Sequence, residues 1–182
     1  MSDKPTTKDL ILDAAETVVA REGARHMTIE AVAAEAGISK GGVLYHYPNK
    51  MALLEAMVTR MVTGVRDDIN RAEAEAKTRG LPVLPHVIET LFYRDAPKEQ
   101  VGNAVLAASA EQPHLLEVAG TVLAKEFQRL TEESPDPVLA QIALLTLDGL
   151  KLTALLGLNH VFDNQIDAIM DRVIAMTREM YQ

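Results

Sequence analysis

At 182 residues and 19.9 kDa, the chain suits one domain or a small domain fused to a larger one. Apolar residues make up 48% and charged residues 24%, which is a globular balance, and the absence of cysteine excludes disulfide scaffolds, Cys-based zinc sites and thiol catalysis. The net charge of −8 speaks against nucleic acid for the chain as a whole, yet residues 1–50 hold six bases and seven acids while 51–182 hold 12 bases and 19 acids, so only the N-terminal part would meet a phosphate backbone without strong repulsion.

The start, MSDKPTTKDL, has no apolar core of a secretory signal, and a cytoplasmic location is expected. Leu10, Ile11, Ala14, Ala15, Val18 and Val19 then form an i, i+3/i+4 stripe that predicts a helix over 8–22, closed by Gly23. Thr28 is a good N-cap for a second helix, with Glu30 well placed in its first turn and Gly37 at its end. Ser39 caps a third, very short helix reaching about Tyr47. Pro48 and Asn49 break the chain and cap a fourth, from Lys50 to about Ala76. Beyond Gly80, prolines punctuate helices expected over 85–94, 97–111, 113–133, 137–159 and 165–181. No run alternates at period two, so the fold class is all-α. The most apolar stretch, 138–158, carries Asp148 and Lys151 near its middle, which argues against a membrane span.

The informative segment is TIEAVAAEAGISKGGVLYHYPNK, residues 28–50. Two short helices meet at a turn containing Gly37, with Ala33 and Val43 positioned to pack together, the arrangement of a helix-turn-helix whose second helix enters a major groove. Gly41 and Gly42 each cost that helix roughly 1 kcal/mol relative to Ala, and in return they let its backbone approach DNA closely. The order and spacing of Thr28-Ile29, Val32-Ala33, Ala36 to Gly41, Leu44 to Tyr47 and Lys50, preceded by ILDAAETVVAREGARHMT, resemble the DNA-binding domain of the tetracycline-repressor (TetR) family over residues 8–57. Tyr47 stands where that family often has Phe, and Leu44 where many members carry an aromatic residue.

The resemblance implies a homodimeric, ligand-responsive transcriptional repressor. Residues 1–50 would form a helix-turn-helix domain that binds double-stranded operator DNA, and 51–182 a helical domain that holds a small organic effector and the dimer interface. Within the motif, Lys40 reaches base edges or phosphate from the start of the recognition helix, and Tyr45 offers its hydroxyl to phosphate or its ring to a thymine methyl. Lys50 opens the fourth helix where the dipole disfavours a cation, which points to a phosphate contact. The amides beside Thr28 and Ser39 are further phosphate donors, His46 either contacts phosphate or packs inward, and Tyr47 packs.

In the C-terminal part, Ile142, Thr146, Gly149, Leu150, Thr153 and Gly157 share a helix face on which small residues allow close approach. With Ile169 and Val173 of the last helix, they would build a four-helix bundle across a two-fold axis. By the resemblance, the effector site lies among the middle helices, with Met57, Met61, Phe92 and Phe127 as walls and Tyr93, Gln112 and His86 among the polar candidates. An uncharged or weakly polar organic effector is expected.

No cofactor motif and no metal-ligand spacing such as HxxxH occurs. The chain lacks GxSxG, HExxH, GxGxxG and P-loop motifs, and GISKGG has neither a GK[ST] ending nor a preceding strand, so an enzyme is not expected. The rivals are a helical adaptor that has lost DNA binding and an activator on the same fold.

Overall fold

The computed structural model describes residues 5–23, 25–93, 113–155, 158 and 165–182. The described residues form helices α1 (Thr7–Glu22), α2 (Ile29–Ala36), α3 (Lys40–His46), α4 (Lys50–Arg79), α5 (Val83–Phe92), α6 (Pro113–Glu132), α7 (Pro137–Leu155) and α8 (Ile166–Glu179), with no strand among them. The helix expected over 97–111 lies outside the described residues, as do Gln112 and Gly157.

The helix ends follow from side-chain caps and glycines. At the start of α1, the Thr6 hydroxyl accepts from the Asp9 amide while the Asp9 carboxylate accepts from the Thr6 amide at 2.9 Å. This capping box begins the helix one residue before the periodicity alone suggests. Asn49 caps α4 by accepting from the Ala52 amide at 2.9 Å, and Asp136 caps α7 by accepting from Val138 and Leu139 at 3.1 and 3.0 Å. Both α2 and α4 end in the same paired pattern. Ile38 N–H donates to the Ala33 carbonyl and Gly37 to Ala34; Leu81 donates to Ala76 and Gly80 to Lys77. That geometry needs a left-handed residue, and Gly37 (φ 67°) and Gly80 (φ 63°) supply it. It also carries α4 to Arg79, about one turn beyond Ala76. α5 begins at Val83 because Pro85, in the first turn, has no amide that needs a partner there.

The chain divides into two compact units. The first takes α1 to α3, α4 as far as Thr63 and α6 as far as Thr121. In it α1 packs on α2 and α2 on α3, and Ile11, Ala15, Val18, Val32, Ala33, Val43, Leu53 and Met57 are buried. Arg60 of α4 pairs with Asp13 and, at 3.6 Å, with Glu16 of α1. Desolvation raises the Glu16 carboxyl above its ordinary range, with Arg60 opposing the shift.

The second unit takes the rest of α4 and α6 with α5, α7 and α8, and its core gathers Ile69, Leu84, Ile88, Leu91, Leu144, Leu147 and Met170. Arg129 on α6 reaches Glu73 of α4 at 2.6 Å and Glu126 at 3.1 Å, bonds that raise its pKa and hold its charge firmly. Over Pro137–Ala154, α7 has a mean hydropathy of 1.3, long and apolar enough to cross a membrane, and 28% of that span is buried in the monomer.

Candidate nucleic-acid interface

The α2–α3 pair is built from short-range signals. Thr28 accepts from the Ala31 amide at 3.1 Å, and Ser39 accepts from the Gly42 amide at 3.0 Å. Of the other first-turn amides of α2, that of Glu30 bonds its own carboxylate. Ala33 and Val43, the expected contact pair of the turn, are both buried. So is Tyr47, whose extended backbone closes α3.

The outer side of α3 is where the candidate contact residues collect. Tyr45 is 85% exposed, far more than an aromatic side chain needs for packing. The half-buried His46 ring meets it edge-on at 5.0 Å between centroids, so His46 both packs and remains partly accessible. Lys40 is exposed, and its Nζ lies 2.6 Å from Glu30 Oε1 of α2. Hydrogen bonding to Lys40 is the largest influence on the Glu30 carboxyl and holds it below its ordinary range. A Cβ at Gly41 would come no closer than 3.9 Å to Ser39 Oγ, and one at Gly42 would meet Ser39 Oγ at 3.4 Å and Ile38 Cδ1 at 3.6 Å. Within the chain, therefore, both glycines could carry a methyl group in ordinary contact. The fold itself does not require them.

Lys50 differs from a bare phosphate ligand. It is half-buried, and its Nζ donates to the Arg25 carbonyl at 3.0 Å, tying the start of α4 to the loop before α2. That bond accounts for a cation at a helix N-terminus, and an ammonium with three donors keeps two for another partner. The sequence pattern gave no signal for this tie or for the Glu30–Lys40 pair, because both depend on how separate elements meet.

The C-terminal candidates scatter. Met57 is fully buried in the first unit and Met61 half-buried there, whereas Phe92 and Phe127 pack half-buried on the core of the second. Tyr93 is exposed, with its hydroxyl 3.4 Å from Asp171 Oδ1. None of these lines the cavity of about 550 Å³ formed by Arg79, Leu81, Pro82, Pro85, His86, Glu89, Arg178 and the C-terminus, where His86 Nε2 sits 3.4 Å from Glu75.

On α7, Ile142 is exposed, Thr146 and Thr153 half-buried and Gly149 open, while Leu150 is buried in the core of its own unit. The apolar face of α7 turned to solvent is instead Val138, Ile142, Leu145 and Leu152, spaced one or two turns apart. Ile169 and Val173 on α8 are half-buried against the core. Among the described residues, no group of three or more His, Asp or Glu side chains could hold a metal ion.

Residues 11–57 match the sequence model of bacterial regulatory proteins of the tetR family, and residues 83–178 match that of the tetracyclin repressor-like C-terminal domain. No curated protein sequence matches the chain. Solved structures of the same fold include a TetR-family member from Streptomyces coelicolor A3, 21% identical with a TM-score of 0.74 over 97% of this chain and 98% of that one. A transcriptional regulator from Rhodococcus sp. Rha1 is 23% identical, with a TM-score of 0.74 over 94% and 96% of the two chains. The multidrug binding protein EbrR in complex with imidazole is 22% identical, with a TM-score of 0.70 over 97% and 96%.

Proposed function

Because the chain belongs to the tetracycline-repressor (TetR) family and is a DNA-binding transcriptional regulator with a ligand-binding domain, we propose that it is a cytoplasmic, homodimeric repressor released from a pseudo-palindromic operator by a small organic effector. Residues 1–50 are assigned to DNA binding and 51–182 to effector binding and dimerisation. Two copies of α3 would sit about one DNA turn (roughly 34–36 Å) apart. Lys40 and Tyr45 would reach base edges and phosphate, Gly41 and Gly42 would give close approach, and Thr28, Ser39, His46 and Lys50 would hold the backbone. The observation that carries the reading is the outer side of α3, where an 85% exposed tyrosine stands beside two glycines that no neighbour in the chain requires.

The second copy is assigned to the face of α7. Leu145 is 71% exposed and Ile142 52% exposed, and burying what remains exposed would gain about 1–2 kcal/mol each. Ile169 and Val173 would join them from α8. Phe92 and Phe127 are assigned to the effector wall, with Tyr93 as a further candidate. EbrR has been solved with ethidium and with malachite green, and FadR from Bacillus halodurans is a fatty acid degradation regulator. The two dyes are aromatic organic cations, which supports an organic effector with a large apolar surface. Effector binding would favour the released state by its differential affinity for the two conformations.

Selection from a random duplex library at near-physiological salt tests the proposal. An enriched inverted repeat is the expected result. Enrichment of nothing by folded protein would favour the adaptor reading, and activation of a reporter placed behind the enriched site would replace repression.

A further inference from the structure

Lys40 opens α3 where the helix dipole disfavours a cation, and the helix-turn-helix geometry sends side chains at this position toward base edges. Its ammonium is already engaged by Glu30 at 2.6 Å, and the two side chains are 57% and 62% exposed. Glu30 occupies the first turn of α2, where that helix's own dipole favours a carboxylate. A negative charge therefore stands within one ion-pair length of the amine that α3 offers to DNA. The dipole accounts for a carboxylate in this turn but not for its pairing with Lys40, and exposed pairs of this kind contribute little to folding.

We propose that Glu30 is a specificity-determining residue, whose ion pair aims Lys40 at base edges and whose charge penalises binding to the backbone alone. The inference rests on the reading of α3 as the DNA-contacting helix. On a non-operator duplex, the available partner for Lys40 is a phosphate. To reach it the ammonium leaves Glu30, and the carboxylate left behind faces the phosphate wall without its cation, keeping only the bond to its own amide. On the operator, an ammonium with three donors bridges a base acceptor and Glu30 together. The pair is kept in the specific complex and broken in the non-specific one.

Glu30→Gln keeps the length and helix propensity of the side chain and removes its charge. The experiment measures affinity for the selected duplex and for a scrambled one by fluorescence anisotropy across a salt series, with folding checked by circular dichroism. Glu30→Ala serves as a second charge-free variant. Affinity for the scrambled duplex should rise about three- to tenfold, with a salt slope steeper by about one per protomer, while affinity for the selected duplex changes less than twofold. In a Lys40→Ala background the same substitution should leave the salt slope unchanged. An unaltered ratio of the two affinities overturns the inference and leaves the DNA reading intact, as does an equal gain with and without Lys40. If the unsubstituted protein prefers no duplex, the DNA reading fails and this inference fails with it.

Discussion

On α3, in the N-terminal unit, the solvent-facing residues are a lysine, a glycine and a tyrosine; on α7, in the C-terminal unit, they include a valine, an isoleucine and two leucines. Both surfaces expose what a monomer gains nothing by exposing, but they ask for different partners. The first offers a point charge, a hydroxyl and bare backbone, which suit a phosphate wall and base edges. The second offers area without direction, which suits a like surface on another copy. Under the proposed function, specific chemistry on one unit and generic apolar area on the other would separate recognition from assembly.

The largest test of that separation is Leu145→Glu. A charge in the α7 face should yield a monomer by sedimentation, with retained helicity and operator affinity reduced on the order of 100-fold or more, because two half-sites no longer act together. A dimer that survives would move the interface elsewhere. Ile88→Ala and Ile142→Ala sharpen the contrast within one unit. Ile88 is fully buried, so its truncation should cost about 2–5 kcal/mol in denaturant unfolding. Ile142→Ala should weaken dimerisation and leave monomer stability within about 0.5 kcal/mol. Equal losses in monomer stability would erase the distinction between the two faces.

In the N-terminal unit, Lys50→Ala should weaken binding to all duplexes by about 1 kcal/mol and reduce the salt slope by about one. A weaker affinity with an unchanged slope would leave Lys50 only its bond to the Arg25 carbonyl. The smallest expected effect is Gly41→Ala, which should raise thermal stability by about 0.5–1 kcal/mol yet lower DNA affinity. Stabilisation without loss of binding would mean that DNA does not approach α3 closely at that point.

The legibility of the two units in the sequence differs for the same physical reason. Gly23, Thr28, Gly37, Ser39 and Asn49 act locally, through bonds to amides and carbonyls a few residues away, so the ends of α1 to α3 and the start of α4 follow from the letters. The residue at Leu150 shows the opposite case. Its helix position allowed it on the same face as Ile142 and Thr146, and only the packing of α5 and α8 on α7 decides that it turns inward. The Glu30–Lys40 and Lys50–Arg25 contacts are likewise hidden, since each joins side chains or backbone of separate elements that no local pattern pairs. Met57, expected as a wall of the effector site, is fully enclosed, because a methionine at helical spacing carries the same pattern in a core as in a pocket.

Whether α3 reads bases through Lys40 decides the proposed function. Random duplexes retained by the unsubstituted protein and by Lys40→Ala should therefore be sequenced side by side. The predicted result is an inverted repeat in both, its half-sites about one turn apart (roughly 10 base pairs), with base preference inside each half-site relaxed in the variant. An identical preference in the two pools, or no repeat in either, would contradict it.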